Sequence, residues 1–74
     1  MVEYNPALFK QKREILGLSQ KQLADECYLS VMTIHNVETK NHVYPSTNLL
    51  VGLVLDILAT KQGKRDAFRA LEGE

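Results

Sequence analysis

Two short helix-compatible segments lie almost end to end between Gly17 and Glu38, and this arrangement restricts the possible folds more than any other feature of the chain. Ser19 and Ser30 each precede one segment, where a serine hydroxyl can accept hydrogen bonds from the exposed backbone N–H groups of a helix start. Only three or four residues, at about Cys27 to Leu29, remain to connect the two predicted helices. Such a short connection predicts two helices that cross at a steep angle.

The apolar residues of this stretch fit that crossing. The positions where the two helices would meet are Leu23, Ala24, Cys27, Leu29, Ile34 and Val37. Ala24 is small, so the second helix can approach the first closely. The pattern is typical of a helix-turn-helix, a unit whose second helix is used to enter a DNA groove.

A longer series of residues, in order and without a gap, matches a known family. They are Arg13, Leu18-Ser19-Gln20, Leu23-Ala24, Leu29-Ser30, Thr33-Ile34, Val37-Glu38 and Pro45-Ser46. On these residues the chain resembles the lambda repressor/Cro-like helix-turn-helix regulators from about Leu8 to Leu58. The resemblance implies an all-α fold of four to five helices, a lambda repressor-like DNA-binding domain with its helix-turn-helix at about 19–38. It also implies a small transcription repressor of the phage or prophage type.

The remaining segments are consistent with a single domain over residues 1–74. We predict helices over Ala7–Leu16, Gln20–Cys27, Val31–Thr39, Thr47 to about Ala59, and Lys64–Leu71. Asn5, followed by Pro6, would cap the first helix and Gly17 would end it, and a polar loop from Lys40 to Pro45 precedes the fourth. Ser46 would cap the fourth helix, and Gln62 and Gly63 would interrupt its pattern. Its core face would comprise Leu49, Leu50, Leu53, Val54, Ile57 and Leu58, widened by Val51 and Leu55.

Composition excludes several classes of function. The chain has one cysteine, Cys27, so it can form no internal disulfide, and a reducing cytoplasmic compartment is expected. No apolar run reaches the roughly 20 residues of a membrane span, and residues 1–10 have no signal-peptide pattern. We find no enzyme signature and expect no cofactor, membrane or small-molecule substrate. His35 and His42 have no companions at metal-ligand spacing, and Cys27 is expected to be a buried apolar residue.

The first functional hypothesis is a regulator that binds a duplex DNA operator through the third helix. Its candidate DNA-binding residues are Gln20, Ser30, Val31, Met32, Thr33, His35, Asn36 and Lys40. Gln20 matches the family's phosphate-contacting glutamine, Asn36 could bind adenine, and Thr33 could reach a phosphate or base edge. The lysines expected near phosphates are Lys10, Lys12, Lys21 and Lys40. A homodimer would place two third helices in successive major grooves about 34 Å apart.

Arg13 and Glu38 are expected to have a structural role. The resemblance implies that they pair between the first helix and the end of the third, where an arginine fork can meet a carboxylate with two charge-assisted bonds.

The second hypothesis is a protein-binding modulator, an anti-repressor or co-repressor that docks on a cognate repressor. The chain has nine basic and nine acidic residues, and no lysine or arginine lies between Gln22 and Thr39. Phosphate neutralisation usually supplies much of the affinity for DNA. Val31, Met32 and His35 would form the partner-binding surface. Tyr28 and Lys40 stand where the family usually has glycine, and Tyr28 would need a positive φ unless the turn is wider. Both hypotheses stay open on the sequence alone.

Overall fold

Five α-helices form the described part of the chain in a computed structural model, which describes residues 5–40 and 43–73. In chain order they are α1 (Pro6–Ile15), α2 (Gln20–Cys27), α3 (Val31–Thr39), α4 (Pro45–Gln62) and α5 (Arg65–Leu71). The described residues contain no strand, so the all-α class is confirmed for them. The predicted tail at 1–4 and part of the predicted loop, Asn41 and His42, lie outside the described residues.

Two serine caps fix the starts of α2 and α3, and both helices begin and end at the predicted residues. Ser19 Oγ accepts a hydrogen bond from the backbone N–H of Gln22 at 3.0 Å, and the Gln22 side chain accepts one from Ser19 N at 2.8 Å. This reciprocal pair satisfies two donors at the start of α2. Ser30 Oγ accepts from Thr33 N at 3.2 Å and caps the start of α3 with a single bond to the backbone.

The turn between α2 and α3 is tight and has an unusual residue in it. Tyr28 has φ 57° and ψ 39°, so it takes the left-handed conformation that ends α2. The wider turn that would have avoided a positive φ does not occur. The N–H of Leu29 donates to the Ala24 carbonyl at 2.9 Å, and the chain then enters the extended Ser30. Tyr28 therefore has a backbone conformation that costs any residue other than glycine roughly 1–2 kcal/mol.

The predicted start and end of α4 are wrong. Pro45 is its first residue and Tyr44 its N-cap, with no side-chain hydrogen bond at the cap, so Ser46 lies inside the helix. Proline suits this position because its missing N–H would have no partner there. The helix continues through Gln62 and ends only at Gly63, which has φ 68°.

The predicted core face of α4 is correct only in part: Val51, Val54, Leu55 and Leu58 belong to it or pack against it, and the other four predicted residues do not. Val51, Leu55 and Ala59 are buried, whereas Leu49, Leu50, Leu53 and Ile57 are 39–65% exposed. Val54 and Leu58 are partly buried beside the core. Two of the three buried side chains, Val51 and Ala59, are smaller than the exposed leucines and isoleucine of α4. Gly52, next to this row, faces α1: a Cβ atom at this position would lie in ordinary van der Waals contact with Cζ of Phe9, at 3.7 Å.

Side chains from all five helices form one core. They are Phe9, Leu16, Leu23, Ala24, Cys27, Ile34, Val37, Val51, Leu55, Ala59 and Phe68. The positions predicted for the α2–α3 crossing are all in this cluster or packed against it. No helix of the described residues has the length and apolar character needed to cross a membrane.

Polar contacts attach α5 and the end of α4 to α1. Lys12 Nζ lies 2.6 Å from Glu72 Oε2 and 5.2 Å from the centre of the Phe68 ring. Lys64 Nζ donates to the Ile15 carbonyl at 2.9 Å, and Gln62 Nε2 donates to the Leu16 carbonyl at 3.3 Å. These donors satisfy carbonyl groups at the C-terminal end of α1 that have no partner within the helix.

Candidate nucleic-acid interface

The helix α3 has one face in the core and the other in solvent. Ile34 and Val37 are fully buried, while Val31, Met32 and His35 are exposed. Thr33 and Asn36 lie between these extremes. Five of the candidate residues from the sequence are therefore together on the outer side of one short helix.

A buried ion pair connects the end of α3 to α1. Arg13 Nε donates to Glu38 Oε2 at 2.6 Å and Arg13 Nη2 donates to Glu38 Oε1 at 3.1 Å. Arg13 Nη1 also donates to the carbonyl of Leu18, just before α2 begins. The Glu38 side chain is 1% exposed. One arginine thus connects α1, the start of α2 and the end of α3 through hydrogen bonds with little competition from water.

Gln20 belongs to the same network. Its Nε2 donates to Glu38 Oε1 at 3.0 Å, so the amide is turned towards the end of α3. The sequence singled out Gln20 as a phosphate contact and gave no signal of this bond, because the bond depends on how α2 crosses α3. An amide has a second N–H and an oxygen, which leaves Gln20 chemically able to contact a phosphate as well.

The hydroxyl groups at the start of α3 are already hydrogen-bonded to each other. Ser30 Oγ lies 2.9 Å from Thr33 Oγ1 and also caps the helix. A hydroxyl has one donor and two acceptor positions, so each of these groups can take a further partner.

Asn36 lies in an open cleft of about 690 Å³ that the sequence did not predict. Its lining residues are Leu29, Thr33, Asn36, Val43, Tyr44, Pro45 and Thr47. The cleft therefore runs between α3 and the first turn of α4. Tyr44, which lines one side of the cleft, is mostly exposed. The one sequence signal for this cleft is Pro45. Interpreted as the first residue of a helix instead of the last residue of a loop, it would have predicted that α4 begins here.

The lysines expected near phosphates do not form one group. Lys12 is buried and paired with Glu72, so its assignment as a phosphate contact is wrong. Lys10, Lys21 and Lys40 are exposed, and Lys21 Nζ lies 3.4 Å from Asp25 Oδ2. The exposed acidic residues Asp25 and Glu26 lie on the same helix as Lys21, α2. The local charge is accordingly mixed.

Three exposed side chains form an apolar group at the turn and the start of α3. Tyr28 is 95% exposed, Met32 63% and Val31 48%. Val31 and Met32 face outward as the sequence predicted. Tyr28 was predicted only as an unusual turn residue, and its exposed ring adds an aromatic contact to the same end of α3.

Two further candidates considered in the sequence are a histidine metal site and the thiol of Cys27. Within 5–40 and 43–73, no group of three or more histidine, cysteine, aspartate or glutamate side chains could hold a metal ion, and His42 lies outside this part. Cys27 is buried, as predicted, and burial together with the nearby Glu26 raises the pKa of its thiol from 9.0 to about 11. A thiol in this state is a poor nucleophile. Comparison of the chain with protein-family models, with curated proteins and with solved structures finds no match.

Proposed function

We propose that the chain is a small transcriptional regulator of the lambda repressor/Cro-like type, in which α2 and α3 form a helix-turn-helix and α3 binds operator DNA. The observation that carries this proposal is the way α3 is held. Ser30 caps its start, the Arg13–Glu38–Gln20 network fixes its end, and its outer face is open to solvent. A rigid short helix with one free face is what insertion into a major groove requires.

The residues on this face can make specific contacts with base edges. The amide of Asn36 can form two hydrogen bonds with adenine, and the hydroxyl of Thr33 can bond a base edge or a phosphate. Val31 and Met32 can contact thymine methyl groups. The exposed imidazole of His35 can donate or accept a hydrogen bond. Because α3 has no lysine or arginine, guanine recognition by a cationic fork is not available to it.

The charges predict weak binding to arbitrary DNA. With a net charge of zero and with Lys12 buried, few cations can displace counterions from the duplex. We expect dissociation constants in the micromolar range or weaker on random sequence at physiological salt, with a shallow salt dependence. Specific binding must then come mainly from base contacts.

Selection from a random duplex library followed by anisotropy titration tests the proposal. We expect one enriched sequence, bound on the order of a thousandfold more tightly than random DNA. On that sequence Asn36→Ala should weaken binding about tenfold to a hundredfold, through loss of a bidentate base contact. Thr39→Ala, an exposed position at the end of α3, is the matched control and should change little. Failure to enrich any sequence would contradict DNA recognition.

A specific observation also favours a second function, binding to a cognate repressor protein. Tyr28, Val31 and Met32 present an exposed aromatic and aliphatic surface beside two acidic residues, Asp25 and Glu26. Apolar side chains on a rigid helix suit a protein groove, and methionine adapts to irregular contacts.

Met32→Arg separates the two functions. In a protein interface the change places a charge in an apolar contact, and partner capture should fall because a packed anchor commonly contributes 2 kcal/mol or more. On DNA the added cation should leave binding unchanged or strengthen it. Thr39→Arg adds the same charge to α3 away from the apolar group and is the control. Retained partner capture together with altered DNA binding would exclude the modulator. Lost capture at an unchanged melting temperature would exclude the simple repressor.

A further inference from the structure

The open cleft between α3 and the first turn of α4 has the size and the lining of a small-molecule site. Its volume of about 690 Å³ is within the range of roughly 300–1,000 Å³ that is usual for ligand pockets. Leu29 and Val43 give it an apolar part that is packed against the core, and Pro45 adds to this part from α4. Ligand pockets typically combine such an apolar lining with a few polar groups.

One of the polar groups in the cleft is an amide without a partner in the protein. Asn36 is partly buried, and its side chain makes no hydrogen bond with any residue of 5–40 or 43–73. The hydroxyl of Thr33, by contrast, is already bonded to that of Ser30. An amide has donors on Nδ2 and an acceptor on Oδ1, so it pairs best with a ring edge on which a donor and an acceptor are adjacent.

An exposed aromatic ring lines the cleft on the side of α4. Tyr44 is 79% exposed, and although it is the N-cap residue of α4, its side chain makes no hydrogen bond at the cap. A planar ligand can therefore cover this ring without disturbing the start of the helix. Stacking on an exposed aromatic side chain is a common way in which proteins bind nucleobases.

The absence of charge restricts the ligand further. Among the described residues, none that lines the cleft has a charged side chain. A phosphate or carboxylate group would lose hydration there and gain no cation in return. The lining thus selects a neutral planar ring that has a donor next to an acceptor. Adenine has this combination, and an asparagine amide can form two hydrogen bonds with it.

We propose that the cleft binds a free, uncharged adenine nucleoside, with the base stacked on Tyr44 and its amine-bearing edge paired with the amide of Asn36. A base alone is much smaller than the cleft, and the neutral ribose occupies part of the remaining volume. The ligand acts as an effector and undergoes no reaction.

The bound nucleoside would oppose DNA binding. Thr33 and Asn36 line the cleft and also belong to the outer side of α3 that is proposed to contact base edges. An amide that is paired with the nucleoside cannot form the same two bonds with an adenine of the duplex. The effect on DNA, unlike the binding of the nucleoside, rests on the proposed function.

Titration of the ¹⁵N-labelled full chain with adenosine, followed by NMR, tests binding with no DNA present. We expect saturable shifts around the cleft, including the side-chain amide of Asn36, with a dissociation constant on the order of 0.1 mM because the cleft is open. Asn36→Ala and Tyr44→Ala should each weaken binding about tenfold. Tyr44→Phe keeps the ring and should bind as the wild type does.

Tyr28→Ala is the matched control, because it removes another exposed tyrosine that lies outside the cleft, and it should not change adenosine binding. Thermal melts establish that each variant is folded. No saturable shifts in the wild type, or equal losses for Tyr28→Ala and Tyr44→Ala, would overturn the proposal.

Two altered ligands test the contacts without relying on a substitution alone. Purine riboside lacks the exocyclic amine, so it should bind the wild type about tenfold more weakly than adenosine and bind Asn36→Ala equally well. Equal binding of both ligands to the wild type would overturn the proposed pairing. AMP adds a phosphate group and should bind no more tightly than adenosine. Tighter binding of AMP would overturn the selection of a neutral ligand.

Anisotropy titration of the selected operator tests the effect on DNA. Adenosine at about ten times its dissociation constant should raise the apparent dissociation constant of the DNA about tenfold, as expected for two ligands that exclude each other. Unchanged DNA affinity at saturating adenosine would overturn the effector role. If no DNA sequence is bound at all, the proposed function fails, whereas the NMR titration still decides whether the cleft binds the nucleoside.

Discussion

The position of α3 depends on one arginine. Arg13 makes three hydrogen bonds, two to Glu38 and one to the Leu18 carbonyl, and the carboxylate of Glu38 takes a further bond from Gln20. These four hydrogen bonds are all buried or partly buried. Loss of one member therefore affects the others, since an unpaired buried charge costs more than the pair contributes.

We predict that Arg13→Ala and Glu38→Ala each lower the free energy of unfolding by about 3 kcal/mol, and that the double variant loses much less than the sum. The reason is that the first substitution already leaves the other charge without its partner. Urea unfolding of the three variants and wild type measures the coupling. Strictly additive losses would mean that the two side chains do not interact in solution.

Tyr28 gives a prediction of opposite sign. Its φ of 57° is unfavourable for any residue with a Cβ, and its ring is 95% exposed, so little packing is lost on its removal. We expect Tyr28→Gly to stabilise the fold by about 0.5–1 kcal/mol, because relief of backbone strain exceeds the added flexibility of the unfolded chain. Tyr28→Ala keeps the Cβ and should stay within about 0.5 kcal/mol of wild type in the same thermal melts. A lower melting temperature for the glycine variant would contradict the strain.

At the scale of whole helices, the bounds of α2 and α3, which depend on nearby residues, were predicted correctly. Features that depend on contacts between helices were not. Ser19 and Ser30 fixed α2 and α3 because a cap acts within one turn of sequence. The core face of α4 could not be chosen from its sequence, since apolar residues occur on nearly every side of it from Leu49 to Leu58. Its orientation depends on where α1, α2 and α5 contact it. The same reason applies to the candidate site, where the burial of Lys12 and the Gln20–Glu38 bond arise only from packing between helices.

The docking of α5 on α1 gives a prediction at this scale. Glu72→Gln would leave the buried ammonium group of Lys12 without its charge partner, and we expect a loss of about 1–3 kcal/mol of unfolding free energy. Asp66→Asn removes an exposed carboxylate from the same helix and should cost less than about 1 kcal/mol. Adding Lys12→Met to Glu72→Gln should restore part of the loss. Chemical denaturation compares all four proteins, and equal losses for the two single variants would contradict a role for the pair.

At the scale of the whole molecule, one core joins all five helices, and its stability depends on pH through Cys27. The radius of gyration, 11.2 Å, equals the value of about 11 Å expected for a folded domain of this length. The folded state raises the pKa of the Cys27 thiol from 9.0 to about 11, so it binds this proton more tightly than the unfolded chain does. The resulting stability is fully present below pH 9 and is lost as the pH rises towards 11.

We therefore expect the free energy of unfolding to fall by on the order of 2 kcal/mol between pH 9 and pH 11 through this group alone. Other groups titrate in the same range, so the measurement is the difference between wild type and Cys27→Ala at each pH. The difference should shrink steadily across the interval. A difference that is independent of pH would show that the thiol titrates normally in the folded protein.

The burial of Cys27 also makes the frequency of structural opening measurable in the wild-type chain, with no substitution. A thiol reagent can reach this sulfur only while α2 and α3 are separated, so the rate of modification reflects the equilibrium between closed and open forms. Any molecule that binds only the closed form reduces the open fraction by the factor 1 + [L]/Kd. Mass spectrometry of the modified chain, in the presence of DNA or of a candidate partner, would then rank ligands by how far each slows the reaction.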